Sequence, residues 1–133
     1  ESEVPVMNGP REFWWDRSQA RIQGNAAGWY EYVPDGLLLG YNTDAPVIPQ
    51  EELPFQAAMG VRFGAGTSED GLLGITSHPA KALLIEDVAG SLKTGLDADF
   101  VAWTGNPVDP RSHVVKAWVL GELVYSSKEG RRY

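Results

Sequence analysis

One continuous apolar segment limits the possible folds of this chain more than any other feature of its sequence. Residues 37–43 read Leu-Leu-Leu-Gly-Tyr-Asn-Thr, which is apolar at first and polar at the far end. A strand of a parallel sheet gives such a run, because helices cover both faces of the sheet and bury every side chain. Residues 4–8 form a second, shorter apolar run. The two runs predict an α/β fold with a parallel sheet.

Four segments have the spacing or the boundary residues of helices. Apolar residues recur at three- and four-residue steps over residues 21–33, which predicts an amphipathic helix despite the glycines inside it. Residues 51–63 are predicted to form a second helix, which ends at Gly64. Thr67 is expected to be the N-cap of a third helix, with acids in its first turn. Pro79 suits the first turn of a fourth helix over residues 78–85.

The chain changes character after Gly90. Residues 99–103 and 114–120 are rich in β-branched and aromatic side chains, which indicates strands. Residues 120–122 are typical of a tight hairpin turn into a further strand. We therefore predict three regions: an α/β part over residues 1–89, a small β region over residues 90–125, and a polar tail over residues 126–133 that is expected to fray.

The composition excludes several classes of partner. The chain has 133 residues and a net charge of −7, from 18 acidic and 11 basic residues. No basic cluster is larger than the pair Arg131 and Arg132, so we predict no binding to nucleic acid. No apolar run approaches the ~20 residues that cross a bilayer, which predicts no membrane segment. The absence of cysteine fits the cytoplasm as the expected location, while the start at Glu1 leaves a signal peptide open.

Asp44 is the first candidate for chemistry. It follows the predicted buried strand directly, in a loop that contains Pro46 and Pro49. Active-site groups concentrate at the carboxyl ends of parallel strands, because the loops there converge over the sheet. A carboxylate in this place can bind a divalent cation and accept a proton from the bound water. The alternative is structural, since an aspartate before Ala-Pro is also common as a capping residue in turns.

The two histidines do not complete a metal site. His78 precedes Pro79 at a predicted helix start, and His113 lies at the edge of the β region. Neither shares a short spacing with the other or with a cysteine, as metal clusters usually require. The sequence also has no His-x-His pair and no Gly-x-Ser-x-Gly motif. Both histidines are therefore interpreted as surface or capping residues.

An aromatic cluster near the start of the chain gives a weaker indication of a substrate site. Phe13, Trp14 and Trp15, in what is expected to be an ordered loop, could line a pocket for an apolar substrate. Arg11 beside them could hold a carboxylate of that substrate. The alternative is that the three rings pack the connection between a strand and a helix.

Several segments, in this order, resemble one known family. They are Asn42-Thr-Asp-Ala-Pro46, Gln56-Ala-Ala-Met-Gly-Val-Arg62, Ile75-Thr-Ser-His-Pro-Ala-Lys-Ala-Leu83, Gly90-Ser-Leu-Lys-Thr-Gly-Leu-Asp-Ala-Asp-Phe-Val-Ala-Trp103 and Val115-Lys-Ala-Trp-Val-Leu-Gly-Glu-Leu-Val-Tyr125. Together they resemble the C-terminal end of the amidohydrolase superfamily, in particular its imidazolonepropionase-like and prolidase-like branch. The resemblance extends over nearly the whole chain, from residue 4 to residue 125.

That resemblance implies a distorted (β/α)8 barrel with one or two divalent metals, usually zinc, beside a β-sandwich built from both chain ends. Residues 1–89 then correspond to the last strands and helices of the barrel, and residues 90–125 to the C-terminal strands of the sandwich. The turn around Gly95 belongs to the sandwich and is structural. Asp44 matches the aspartate of the family's final barrel strand, which is a metal ligand and the general base for the attacking water.

The chain also departs from the family's pattern. The family's other metal ligands are a His-x-His pair on the first strand, a Lys or Glu in the middle, and two later histidines, and none has a counterpart here. A complete barrel takes ~250 residues, and a catalytic zinc needs about three protein ligands. The sequence therefore predicts a C-terminal fragment of a larger enzyme, which alone is inactive and binds no metal.

Two functions follow as expectations. The first is hydrolysis of a C–N bond in a small-molecule substrate, either a cyclic amide or a peptide-like amide, with Asp44 as the catalytic residue and metal ligand. The second is a non-catalytic module for oligomerisation or binding, derived from the same fold. In both cases the barrel strands lack neighbours, so we expect self-association or pairing with the missing N-terminal part of the same enzyme.

Overall fold

The computed structural model of the chain describes residues 4–10, 14–16, 21–23, 33–128 and 130–131. Its strands and helices, in chain order, are β1 Val6–Asn8, β2 Trp14–Asp16, β3 Arg21–Gln23, β4 Leu39–Tyr41, a 3-10 helix Gln50–Glu52, α1 Leu53–Arg62, α2 Ser68–Leu73, α3 Ser77–Ala82, β5 Phe100–Trp103, β6 Val114–Val119, β7 Glu122–Ser126 and β8 Gly130–Arg131. They form a parallel pair (β1 and β4), an antiparallel pair (β2 and β3), and an antiparallel sheet in the order β5-β6-β7-β8. The predicted α/β class is confirmed at this level.

The two strands predicted from the apolar runs pair in parallel. Val6 lies opposite Leu39, and Asn8 lies opposite Tyr41. All three residues of β4 are buried, and Leu39 and Tyr41 are each only 4% exposed. The continuous apolar run therefore lies in the environment that its sequence predicted, a strand covered on both faces.

The edge of β4 that faces away from β1 is occupied by groups that do not belong to a strand. The backbone N–H of Tyr41 donates to the carbonyl oxygen of Gly74, with 2.9 Å between the two atoms. The carbonyl oxygen of Leu39 accepts from Nδ1 of His78 at 2.7 Å. These two bonds satisfy backbone groups that a further strand would otherwise take, and they attach the end of α2 and the start of α3 to the sheet.

A hydrophobic core lies between β4 and α1. Its buried members are Leu39, Tyr41, Ala57 and Val108. The ring of Tyr41 fits between two glycines, because a Cβ atom built on Gly60 would lie 2.6 Å from its ring carbons, and one built on Gly74 would also lie 2.6 Å away. Side chains at either position would displace the ring, so these glycines allow the helical layer to approach the strand.

None of the helices in the described ranges is long and apolar enough to span a membrane.

The N-cap predicted at Thr67 is confirmed. Oγ1 of Thr67 accepts from the backbone N–H of Asp70 at 3.3 Å, and the carboxylate of Asp70 accepts from the backbone N–H of Thr67 at 2.7 Å. This reciprocal pair satisfies two N–H groups that a helix start leaves open. The hydrogen bonds from Thr67 lower the pKa of Asp70, since they favour the ionised carboxylate. The helix ends at Leu73, and α3 begins separately at Ser77.

The predicted hairpin in the β region is also confirmed. Val119 of β6 pairs with Glu122 of β7, which leaves Leu120 and Gly121 as the two turn residues. Both have positive φ, 50° and 80°, as a type I′ turn requires. The tail predicted to fray contains a strand instead, because β8 pairs with Tyr125 and Ser126 of β7.

Two predictions near the start of the chain are wrong for the residues that the structure describes. Residues 13–15 were expected to form a loop, but Trp14 and Trp15 belong to β2. Arg21–Gln23 was expected to begin a helix, but it is a strand that pairs with β2. Pairing between two segments outweighed the local helical spacing, which is a weak signal where glycines interrupt it. The rest of the predicted helix, apart from Val33, lies outside the described residues.

The end of α3 contains a residue type that the backbone there disfavours. The N–H of Leu84 donates to Lys81 O at 3.2 Å, and the N–H of Ile85 donates to Ala80 O at 2.9 Å, which together form a Schellman motif. Leu84 has a φ of 58° and is 84% exposed. Glycine is the usual residue in this position, because an L side chain in the left-handed region costs about 1–2 kcal/mol.

Replacing Leu84 with glycine is therefore expected to stabilise the chain by about 1 kcal/mol, since relief of the strain exceeds the entropy that glycine loses. Urea unfolding followed by circular dichroism measures the change. Leu83→Gly is the matched control: Leu83 is also exposed but has a right-handed conformation, so glycine there should destabilise by about 0.5–1 kcal/mol. Equal effects of the two substitutions would contradict this explanation.

Candidate functional site

The carboxyl ends of β1 and β4 meet at one edge of the parallel pair. Asn8 is the last residue of β1, and Asn42 follows the last residue of β4. The backbone N–H of Asn42 donates to the carbonyl oxygen of Asn8 at 3.1 Å, so the pairing continues one residue beyond β4. This edge is where active-site groups of parallel sheets converge. Thr43, which is buried, and Asp44 follow here.

Asp44 begins a tight turn immediately after this edge. The N–H of Val47 donates to the carbonyl oxygen of Asp44 at 2.9 Å, and the N–H of Ile48 donates to that of Thr43 at 3.1 Å. The Ala45-Pro46 peptide bond is cis, and Asp44 has a φ of 48°, a conformation that aspartate tolerates better than most residues. Backbone groups therefore close the turn. Within the part of the chain that the structure describes, the exposed carboxylate of Asp44 has no hydrogen bond, so its oxygens are available to bind a cation or to accept a proton.

A second polar group at this edge was not found from the sequence. The side-chain oxygen of Asn42 is buried and, as far as the described residues extend, has no hydrogen-bond partner. An unsatisfied buried acceptor is costly, by about 1–3 kcal/mol. An asparagine at the end of a strand belongs to no recognisable sequence motif. Only the three-dimensional structure therefore reveals this acceptor next to Thr43 and Asp44.

Only some of the residues predicted to contact substrate lie within the described ranges. Trp14 and Trp15 lie in β2, where Trp14 pairs with Gln23 and Trp15 pairs with Ile22. Arg11 and Phe13 lie outside the described residues. Contact of these residues with a substrate stays a prediction.

The histidines have structural partners. His78 is half-buried, and because the Leu39 carbonyl oxygen can only accept, its Nδ1 carries the proton of their 2.7 Å hydrogen bond. His113 is exposed and pairs through its backbone with Thr104, whose N–H donates to the carbonyl oxygen of His113 at 3.0 Å. The backbone N–H of His113 in turn donates to Oγ1 of Thr104 at 3.1 Å. His113 is therefore a surface residue, as expected, whereas His78 is half-buried and binds a carbonyl of β4 instead of capping a helix.

The described residues do not form a metal site by themselves. Over residues 4–10 and 33–128, no group of three or more His, Cys, Asp or Glu side chains is placed to hold a metal ion. A catalytic zinc needs about three protein ligands and one open position, whereas this edge offers one carboxylate. The donor set present here does not fit a complete catalytic metal centre.

Comparison with known proteins gives several similar proteins, although no family model matches the chain. The chain is 30% identical over 105 residues to amidohydrolase tasK from Hapsidospora irregularis, which covers 79% of this chain and 10% of that protein. It is 40% identical over 75 residues to imidazolonepropionase from Acinetobacter baumannii, which covers 56% of this chain and 18% of that protein. The crystal structure of an amidohydrolase from Thermotoga maritima matches with a TM-score of 0.64 and 42% identity, over 69% of this chain and 24% of that chain.

These matches show that the chain is a relative of the amidohydrolase superfamily. Within that superfamily it is imidazolonepropionase-like, so the resemblance found in the sequence motifs is confirmed. The structure aligns with part of an amidohydrolase structure. The chain spans between 10% and 24% of the length of these three relatives.

Proposed function

We propose that this chain is the C-terminal part of a metal-dependent amidohydrolase that hydrolyses a C–N bond in a cyclic amide or a peptide-like amide. Residues 1–89 would supply the last strands and helices of a (β/α)8 barrel, and residues 90–125 the C-terminal strands of its flanking β-sandwich. One observation carries the proposal: in a relative of the amidohydrolases, Asp44 follows the buried parallel strand β4 at the edge where active sites form.

Asp44 would move the proton in this reaction. Hydrolysis of an amide requires a base that takes a proton from the attacking water and an acid that protonates the leaving nitrogen. One carboxylate can perform both steps in succession. The exposed carboxylate of Asp44 suits this role, because the backbone hydrogen bonds of its turn fix its position while its oxygens stay available.

The metal of such an enzyme would be divalent, with zinc as the expected ion. Asp44 would be one ligand, and the remaining ligands would come from the part of the enzyme that precedes this chain. The chain alone would therefore be inactive and would bind no metal. At the carboxyl ends of β1 and β4 the described residues offer one carboxylate, Asp44. This supports the proposal that the other metal ligands come from the preceding part of the enzyme.

The surface of β1 supports a partner for this chain. Val4, Val6 and Met7 are 64%, 39% and 38% exposed, which is high for apolar residues on and next to a parallel strand. We infer that the preceding barrel strands cover this surface in the complete enzyme and that the isolated chain self-associates through it. Elution of the isolated chain from gel filtration as a stable monomer would contradict this inference. The same surface keeps the alternative function open, a non-catalytic module for binding or oligomerisation.

The natural polypeptide that contains this sequence is the material for the functional test. We expect it to hydrolyse members of a panel of cyclic amides and dipeptides, to lose this activity when a chelator removes the metal, and to regain it when zinc is added. A purified, folded polypeptide that binds no divalent metal would contradict the enzymatic proposal and favour the non-catalytic module.

A further inference from the structure

A cavity of about 590 Å³ lies between α1 and the loop that joins β5 to β6. We call it the α1 groove. Phe55, Met59 and Arg62 line it from α1 at steps of four and three residues, so they form one stripe of the helix. Val108 and Pro110 line it from the loop. The volume is in the range of small-molecule sites, and Asp44 does not line it.

The floor of the α1 groove is apolar and belongs to the hydrophobic core. Val108 is 6% exposed and packs with Leu39, Tyr41 and Ala57. Met59 is also buried, whereas Phe55 at the mouth is 47% exposed. An apolar floor with an open aromatic mouth offers contact area to an apolar body of a ligand.

Among the residues that the structure describes, the charges around the groove leave one cation without an ion-pair partner. The guanidinium of Arg111 holds the carboxylate of Asp109 with hydrogen bonds of 2.6 Å and 3.0 Å. Arg62 is exposed and, among the described residues, forms no ion pair. Because Asp109 is neutralised by Arg111, it does not balance Arg62. Arg62 is therefore the lining cation that is available to an anion at this groove.

The wall of the groove keeps its shape without a ligand. The N–H of Val108 donates to Oδ1 of Asn106 at 3.1 Å, and the N–H of Ser112 donates to the carbonyl oxygen of Asp109 at 2.8 Å. The Arg111 hydrogen bonds lower the pKa of Asp109 to about 2, so this contribution to stability is present above pH ~4 and is lost as the pH falls towards 2. A wall that is already ordered reduces the entropic cost of binding.

We propose that the α1 groove binds a small amphiphilic organic anion, with its apolar body on Phe55, Met59 and Val108 and its carboxylate on Arg62. A neutral apolar ligand would leave Arg62 unused, and an inorganic anion would leave the apolar floor unused. A cationic amphiphile would be repelled by the same guanidinium. The combination of floor and charge therefore selects one chemical class. This binding site is separate from the proposed hydrolysis and does not depend on it.

Octanoate and 1-octanol are the matched probes, because they share the apolar body and differ in the charged group. Isothermal titration calorimetry with the 133-residue chain should show saturable binding that is at least about tenfold tighter for octanoate. Arg62→Gln should weaken octanoate binding about tenfold and leave 1-octanol binding unchanged. Ala58→Phe, which fills the groove, should weaken the binding of both probes.

Lys93→Gln is the control, because Lys93 is an exposed cation that does not line the groove, and it should leave both affinities unchanged. Circular dichroism and the midpoint of thermal unfolding check that each variant is folded. Equal affinity for the two probes would overturn the proposal, as would octanoate binding that survives Arg62→Gln. Unchanged binding after Ala58→Phe would place the ligand elsewhere, and the absence of saturable octanoate binding would also refute the proposal.

Discussion

Gly74→Ala is expected to destabilise the chain by about 3 kcal/mol, because the added methyl group has no space. It would lie 2.6 Å from Cε2 of Tyr41 and 2.9 Å from the carbonyl oxygen of Leu39. Neither neighbour can move easily, since the N–H of Tyr41 donates to Gly74 itself and the Leu39 oxygen accepts from His78. The substitution therefore separates β4 from the segment that covers its second edge.

Thermal unfolding measures this effect, and the midpoint should fall by roughly 10 °C. Gly9→Ala is the matched control, because a Cβ atom on Gly9 would have no described atom within 4 Å and its backbone is outside the left-handed region. That control should stay within about 0.5 kcal/mol of the parent chain. A small effect at Gly74 would show that Tyr41 and the α2–α3 connection are not tightly joined.

Asp44→Asn is expected to lower kcat of the complete enzyme about 10³-fold, because asparagine cannot accept the proton of the attacking water. Asparagine tolerates positive φ as aspartate does, and the turn is closed by backbone hydrogen bonds, so the fold should be retained. Loss of a carboxylate ligand should also reduce the zinc content of the purified protein.

Asp35→Asn controls for the loss of one negative charge. Asp35 is exposed in a turn before β4, at the amino end of the strand, whereas Asp44 follows its carboxyl end. The prediction requires that Asp35→Asn keeps full activity and full zinc content. Activity that is equally retained after Asp44→Asn would remove Asp44 from the reaction and would leave the non-catalytic alternative as the better explanation.

Strand β4 could be predicted from the sequence because its burial on both faces leaves a direct record there, whereas the apolar side chains of β1 are largely exposed in this chain. Residues 37–43 and 4–8 are apolar without alternation, and both contain strands that pair in parallel. The cap at Thr67 and the turn at Leu120 and Gly121 were predictable for a similar reason, since their side chains and dihedral requirements are local. Local rules describe these features because neighbours in sequence create them.

Features that depend on distant contacts could not be predicted in the same way. Arg21–Gln23 has helical spacing but pairs with Trp14–Asp16, and no local pattern shows that partner. The buried oxygen of Asn42 and the α1 groove arise where separate segments meet, so their residues carry no motif. Asp44 could be chosen as a candidate from the sequence only because its strand was recognisable and because the motifs around it resemble those of amidohydrolases.

Native mass spectrometry of the polypeptide that carries this sequence in its source tests the central claim most directly, because one spectrum reports both chain mass and bound metal. We expect a mass well above the 14.5 kDa of the 133 residues, larger by roughly the ~250 residues of a barrel, with one or two zinc ions bound. A natural polypeptide of 14.5 kDa without metal would contradict the claim that Asp44 completes a metal site formed mainly by preceding residues.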